Sequence, residues 1–405
     1  MKTTNLVAVT ALTALSLVSI LDACVSPKDL GLVTAAVTTP VSQPAKAIEQ
    51  PKVEVVFALD TTSSMSGLIA GAKEKIWSIA NSLALAKPAP HIKMGLVAYR
   101  DRGDAYVTKL SPLSEDLDAI YEALMGFQAQ GGGDGPESVN QGLNEAVKKI
   151  EWDIDPKTYR VVFLVGDCPP HMDYKDDVKY HKTCGLAREL GIVINTIQCG
   201  NYCHTEKVWT EIASLGGGNY FKVEQSGGAR VTSTPFDAEI AKASSKLDST
   251  RIYYGSKEEQ SKGEARKNKG EAIQKRATAS AIAQRAMFNS GKAGKLNFYG
   301  HNELLEDLKN KRVSLDKLQD DQLPSQLRKM SKKQRTEAVQ KQLAERAKLQ
   351  KKIKELSAKR QAYITKKLAA SADKGKKALT QRVYDTIRNQ AAEKDISYDA
   401  DMACH

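Results

Sequence analysis

The chain has 405 residues, 41% of them hydrophobic and 6% aromatic, with a formal net charge of +12. That length holds one ordinary α/β domain plus a second region of similar size, and the scarcity of aromatics concentrates the packed core in part of the chain. The positive charge raises nucleic acid, an anionic membrane surface or an acidic polymer as partners; the export signal described next excludes nucleic acid.

Lys2 supplies a short positive n-region, and Leu6 to Ile20 carries no charge. The run is too short for a membrane span, which needs about 20 apolar residues, and reads as a secretory signal over 1–24. Its end, Leu21-Asp22-Ala23-Cys24, resembles a bacterial lipobox with Cys24 as the lipidated residue. A plain signal cut near Ala23 is the alternative. Residues 25–51, with Pro27, Pro40, Pro44 and Pro51, read as an extended tether. The expected location is outside the cytoplasm, lipid-anchored in a bacterial cell envelope.

From Lys52 the texture changes. Val53 to Leu59 is a β-branched run typical of a buried parallel strand, closed by Asp60-Thr61-Thr62-Ser63-Ser64. A helix over Gly67 to Leu85, a strand over Ile92 to Tyr99 and an edge strand over Ala105 to Leu110 follow. Ser114 stands as N-cap of a helix reaching Met125. The glycine-rich loop Gly131 to Glu137 opens a helix over Ser138 to Ile150. Strands at Arg160 to Val165, Val193 to Ile197 and Tyr220 to Val223 alternate with helices at Val178 to Leu190 and Lys207 to Ser214. This alternation predicts a doubly wound, mainly parallel α/β sheet flanked by helices over 52–245. Residues 246–400 form a basic, largely α-helical region, with a helical candidate from Ser331 to Leu368, either one amphipathic helix or a short antiparallel hairpin, whose apolar positions include Val339, Leu343, Ala347, Leu349 and Ile353.

In such a sheet ligands bind beyond the carboxyl ends of the strands, and three of those exit loops are rich in hard oxygen donors. Asp60-x-Thr62-x-Ser64 places a carboxylate and two hydroxyls at alternate positions. They either cap the next helix or converge on one cation. Asp134 lies in the glycine-rich loop, and Asp167 directly follows a strand. Three unpaired carboxylates at one end of a sheet repel each other, and a divalent cation removes that conflict. Hydroxyl and carboxylate donors favour Mg²⁺, with Mn²⁺ and Ca²⁺ as alternatives.

This order of motifs resembles the metal-ion-dependent adhesion site of von Willebrand factor A domains. Tyr99-Arg100-Asp101, Gly131 to Glu137 and Asp167-Cys168-Pro169-Pro170-His171 resemble an exported bacterial subfamily. The resemblance implies a Rossmann-like fold, with Thr62 and Ser64 binding the metal directly and Asp60 and Asp167 acting through water. The family's usual Thr in the middle loop is absent, and Asp134 takes its place. Arg100, Asp101, Glu137 and His171 are expected to support the site, with Arg100 and Asp101 either bracing it as an ion pair or standing solvated.

Of the six cysteines, Cys168, Cys184, Cys199 and Cys203 are candidates for two disulfides in an oxidising compartment, and Cys404 is the orphan. His171 and His181 with Cys168 and Cys184 offer zinc-type ligands, but no tight Cys-x-x-Cys element accompanies them. Arg102-Gly103-Asp104 spells an integrin-recognition tripeptide short enough to recur by chance. There is no Gly-x-Ser-x-Gly elbow and no phosphate-binding glycine loop. The chain is therefore expected to be a non-enzymatic module that engages a protein ligand through its cation. Envelope docking by the basic helices and metal-dependent hydrolysis are the alternatives.

Overall fold

The computed structural model describes residues 50–223, 233–370 and 374–398. The signal segment, Cys24, the tether up to residue 49 and Cys404 lie outside them. Six runs form one sheet: β1 (Lys52–Asp60), β2 (His91–Tyr99), β3 (Thr108–Ser114), β4 (Tyr159–Gly166), β5 (Ile192–Cys199) and β6 (Gly217–Val223). Their order is β3-β2-β1-β4-β5-β6, and only β3 runs antiparallel. The order reverses between β1 and β4, which makes their carboxyl ends the topological switch point. β1 and β4 are covered on both faces, as their unbroken apolar texture requires.

Between the strands run α1 (Ser66–Leu83), α2 (Leu117–Gly126), α3 (Val139–Lys148), α4 (Tyr180–Glu189) and α5 (Thr205–Leu215). The edge strand is β3, several residues beyond the expected Ala105 to Leu110. It extends through Ser114, so α2 begins later and Asp116, not Ser114, caps it by accepting from Ala119 N at 3.1 Å. Alternate residues of β1 face opposite layers. Val56 and Ala58 pack with Val139, Leu143, Cys184 and Trp209 from α3, α4 and α5. Val55 and Phe57 face α1 and α2 through Ile76, Trp77 and Tyr121.

The regular structure of the remaining described residues is helical: α6 (Asp237–Ser249), α7 (Lys257–Arg276), α8 (Ala279–Ser290), α9 (Lys295–Tyr299), α10 (Leu304–Lys309), α11 (Ser325–Arg328), α12 (Lys332–Ala370) and α13 (Lys374–Ala392). Of these helices, α7, α8 and α13 share the core of the sheet, while α6, α9, α10, α11 and α12 pack around apolar clusters of their own. Ile273, Ala281, Phe288, Ile387, Ala391 and Ile396 belong to the same apolar cluster as Phe57 and Trp77. On α13, Gln390 accepts from Tyr159 Oη at 2.7 Å and exchanges two 3.0 Å hydrogen bonds with Asn195, all buried.

Among the described residues, four arginines of this region, Arg251, Arg285, Arg346 and Arg360, are turned inward. Arg285 pairs with Asp118 at 2.6 Å and Asp248 at 3.0 Å, all three essentially unexposed. Arg346 meets Glu303 at 2.8 Å, and Arg360 meets Asp237 at 2.8 Å. α12 is one continuous helix with Val339, Leu349, Ile353 and Leu356 buried. Ala347 is exposed and Arg346 takes the inward position. No helix of the described residues is long and apolar enough to cross a membrane.

The expected disulfides are not formed: Cys168, Cys184, Cys199 and Cys203 are free thiols. The sheet explains one separation. Cys184 packs in the α3–α5 layer and Cys199 in the opposite one. Cys184 Sγ donates to Ile212 O at 3.7 Å, and Cys203 is exposed.

Candidate metal centre

Asp60 ends β1 with no exposure, opposite Tyr99 at the end of β2. Its Oδ1 accepts from Thr62 N at 2.8 Å and from Thr62 Oγ1 at 2.6 Å, a local turn in which the aspartate holds its own loop. Thr62 Oγ1 lies 3.1 Å from Ser64 Oγ. Neither the turn at Ser63–Met65 nor α1 is capped by a side chain. The hydroxyls gather around Asp60 instead of capping the helix.

β4 brings the second carboxylate. A Cβ at Gly166 would stand 2.4 Å from Tyr99 Oη and 3.0 Å from Asp60 Cβ, so only glycine lets the β4 exit pass beside Asp60. Asp167 follows, 3% exposed. The glycine-rich loop is clamped to the β1 exit by Gln130 N to Thr61 O and Ser63 N to Gly131 O, both 3.1 Å. Gly131 and Gly132 both take positive φ, 80°. Glu137 and Thr62 flank Gly132, since a Cβ there would be 3.2 Å from Glu137 Oε1 and 3.4 Å from Thr62 Cβ.

Asp60 Oδ2, Asp167 Oδ1 and Glu137 Oε2 are buried acceptors without a hydrogen-bond partner. Burial pushes the Asp60 carboxyl up to about 7; Asp167's charge adds to this, and the bonds from Thr62 oppose it. Burial, with the charges of Asp60 and Asp101, pushes Glu137 up to about 9. Orphaned carboxylate oxygens beside two hydroxyls are the donor set of a hard divalent cation, and these residues fit one.

The structure places Asp134 elsewhere. Its side chain is 60% exposed and stands 3.5 Å from His171 Nε2, while Glu137 takes the inward position beside Thr62. The reason is backbone pairing: Glu137 N donates to Pro169 O and His171 N to Glu137 O, each 3.0 Å, which stitches Glu137 to the β4 exit. Arg100 is buried and braces the centre through carbonyls, donating to Thr61 O at 3.1 Å and Gln128 O at 2.8 Å. It makes no ion pair with Asp101, whose oxygens accept from Ser138 Oγ and Tyr174 Oη at 2.8 and 2.9 Å.

The zinc-type set is not gathered: His181 pairs with Glu211 at 3.2 Å, away from His171. Both charges of the Arg-Gly-Asp tripeptide are engaged, Arg102 with Asp176 and Asp177, and Asp104 with Gly132 N and Asp101 N. Asp173 and Tyr174 went unread in the sequence. Asp173 bonds His171 Nδ1 at 2.8 Å, and its spacing of two from a histidine was the available signal.

Residues 54–225 match the family model of the von Willebrand factor A domain. Over 121 residues the chain is 30% identical to an alpha-protein kinase of Dictyostelium discoideum, covering 29% of this chain and 19% of that protein. Over 147 residues it is 24% identical to an ariadne-like RING finger protein of Acanthamoeba polyphaga mimivirus, covering 36% of this chain and 13% of that protein. The chain thus spans less than a fifth of the length of either relative. Among solved structures, proximal thread matrix protein 1 of the mussel byssus, with a zinc-occupied MIDAS motif, aligns at a TM-score of 0.33 and 18% identity, covering 43% of this chain and 41% of that one. The family match, the strand order and the Asp60-x-Thr62-x-Ser64 loop at the switch point agree: residues 54–225 are a von Willebrand factor A domain.

Proposed function

We propose that this domain is a non-enzymatic binding module that presents one divalent cation, Mg²⁺ by its donor set, to a protein partner outside the cytoplasm. The observation that carries this reading is the set of three orphaned, buried carboxylate oxygens at neighbouring loop ends, with Asp60 and Glu137 each beside Thr62, whose hydroxyl stands 3.1 Å from that of Ser64. Thr62 and Ser64 would hold the ion directly, with Asp60, Asp167 and Glu137 balancing its charge. Bound, the cation supplies a positive centre that an acidic side chain of a partner can complete. Ser64 is the exposed member and faces that partner. With Glu137 as a third carboxylate, the site depends less on an acidic partner than one built around a threonine. The lipobox-like Cys24 and the proline-bearing tether support display from a membrane surface.

The reading is tested by affinity capture from envelope extract with protein beginning at Lys52, in Mg²⁺, in EDTA, and with Asp60→Ala. Calorimetric Mg²⁺ titration of each bait runs alongside. Retention only by the unaltered bait in Mg²⁺, with binding heat lost in Asp60→Ala, is expected. Equal retention in all three sinks the cation mechanism and directs attention to the lysines of α12. Phosphoester turnover in Mn²⁺ that Asp60→Ala abolishes would overturn the non-enzymatic assignment.

A further inference from the structure

A second group of side chains lies beside the first and is not used by it. His171 is 7% exposed, and its Nε2 is buried without a hydrogen-bond partner. That nitrogen faces Asp101 Oδ2 at 3.3 Å and Asp134 Oδ1 at 3.5 Å. The three candidate ligand atoms all lie within 4.8 Å of one another. They come from three chain segments: the β2 exit, the glycine-rich loop and the β4 exit.

The opposite face of the imidazole is already committed. Nδ1 is bonded to Asp173 Oδ1 at 2.8 Å, and Tyr174 stacks on the ring at 4.1 Å between centroids. With the proton on Nδ1, the Nε2 lone pair points toward two carboxylate oxygens, which is repulsive unless a cation stands between them. A carboxylate bonded to one ring nitrogen with the other left open is the arrangement that metal-binding histidines adopt. Asp101 is oriented in the same way from outside the cluster, by Ser138 and Tyr174.

Donor type favours one ion, and the two spacings from Nε2 agree with it. Two donors about 2.0–2.1 Å from a tetrahedral zinc stand about 3.3–3.4 Å apart, close to the 3.3 and 3.5 Å measured from Nε2. An octahedral Mg²⁺ draws adjacent donors to about 2.9 Å. Imidazole also favours zinc over magnesium. Among the described residues, no hydrogen bond joins Asp134 or His171 side chains to Asp60, Thr62, Ser64 or Asp167.

We propose that Asp101, Asp134 and His171 form a second cation site, tetrahedral and of the zinc class, with water as the fourth ligand. The cation face then carries two ions of different chemistry. The second ties the exposed tip of the glycine-rich loop to the β2 and β4 exits.

Cobalt(II) is the probe, because tetrahedral Co²⁺ absorbs strongly in the visible and octahedral Co²⁺ weakly. The full chain is stripped with chelator, returned to excess Mg²⁺, and titrated with Co²⁺ alone. An intense visible band saturating at a single equivalent is expected. It should be bleached by Zn²⁺, absent in His171→Asn and Asp134→Asn, and intact in Asp60→Ala. Asp134 is exposed enough that Asp134→Asn keeps the fold, which near-ultraviolet circular dichroism checks. No intense band would mean that a proton on His171 fills the gap and would overturn the site. So would a band that persists in folded Asp134→Asn, or one that Asp60→Ala removes.

Discussion

Asp60 and Glu137 hold their protons more tightly in the folded chain than in the unfolded one, at about 7 and about 9, against ordinary carboxyl values near 4. Where the native state binds more protons, stability falls as pH rises. The contribution is complete below the unfolded carboxyl range and is lost through the two folded values. In EDTA, the melting temperature is therefore expected to drop steadily from about pH 5 to about pH 9. Mg²⁺ favours the ionised carboxylates and should flatten that drop, as should Asp60→Asn. A metal-free melting temperature that climbs with pH over this range would contradict the burial of these groups. That Asp60, Thr62 and Ser64 lie at the exit of β1 and Asp167 at the exit of its neighbour β4 was legible from strand pattern and spacing. Asp134 was not, because the exchange of its place with Glu137 is decided by hydrogen bonds to Pro169 and His171, about thirty residues away in sequence.

Among the elements, α2, α6 and α8 meet at Arg285, whose guanidinium lies between Asp118 and Asp248 with no exposure. Burial alone would raise the Asp118 carboxyl, but Arg285 holds it below its ordinary value. Removing the cation strands a buried carboxylate, at a cost of about 3–5 kcal/mol. Arg285→Ala is expected to lower the urea midpoint accordingly. Lys262→Ala, which breaks an exposed pair on α7 with Glu258, should leave the midpoint nearly unchanged. Equal midpoints for the two variants would deny the network its role. Composition could not separate these cases. It counts Arg285, Arg346 and Arg360 with the exposed lysines, and only the partner acids on other elements reveal which charges are inside. The same effect shifted the reading of α12, where Arg346 fills the inward turn that periodicity had assigned to Ala347.

For the molecule as a whole, the α/β sheet shares one core with α7, α8 and α13. Ile387 and Ile396 pack against the same face as Phe57 and Trp77, and full burial of two such side chains stabilises by about 3–6 kcal/mol. A chain ending at residue 373 also leaves Tyr159 and Asn195 without Gln390. It is expected to melt well below the unaltered chain and to bind a dye that reports apolar surface. An unchanged melt would show that the α/β part is self-sufficient. The doubly wound sheet was readable from alternating runs alone. The helices' docking was not, because α13 supplies few apolar residues and their target lies about three hundred residues upstream.

That docking sets an order of events during synthesis. The sixth strand is complete at Val223, yet the helix that seals one face begins only at Lys374. At roughly 5–20 residues per second the ribosome needs on the order of ten seconds to cover that interval. Throughout it, Tyr159 and Asn195 lack their Gln390 partner, and the part of that face covered by Ile387 and Ala391 stays open to other nascent chains and to proteases. Chains stalled near residue 300 are expected to be cut within the sheet, and full-length chains carrying an added linker that lets residue 398 clear the ribosome to resist.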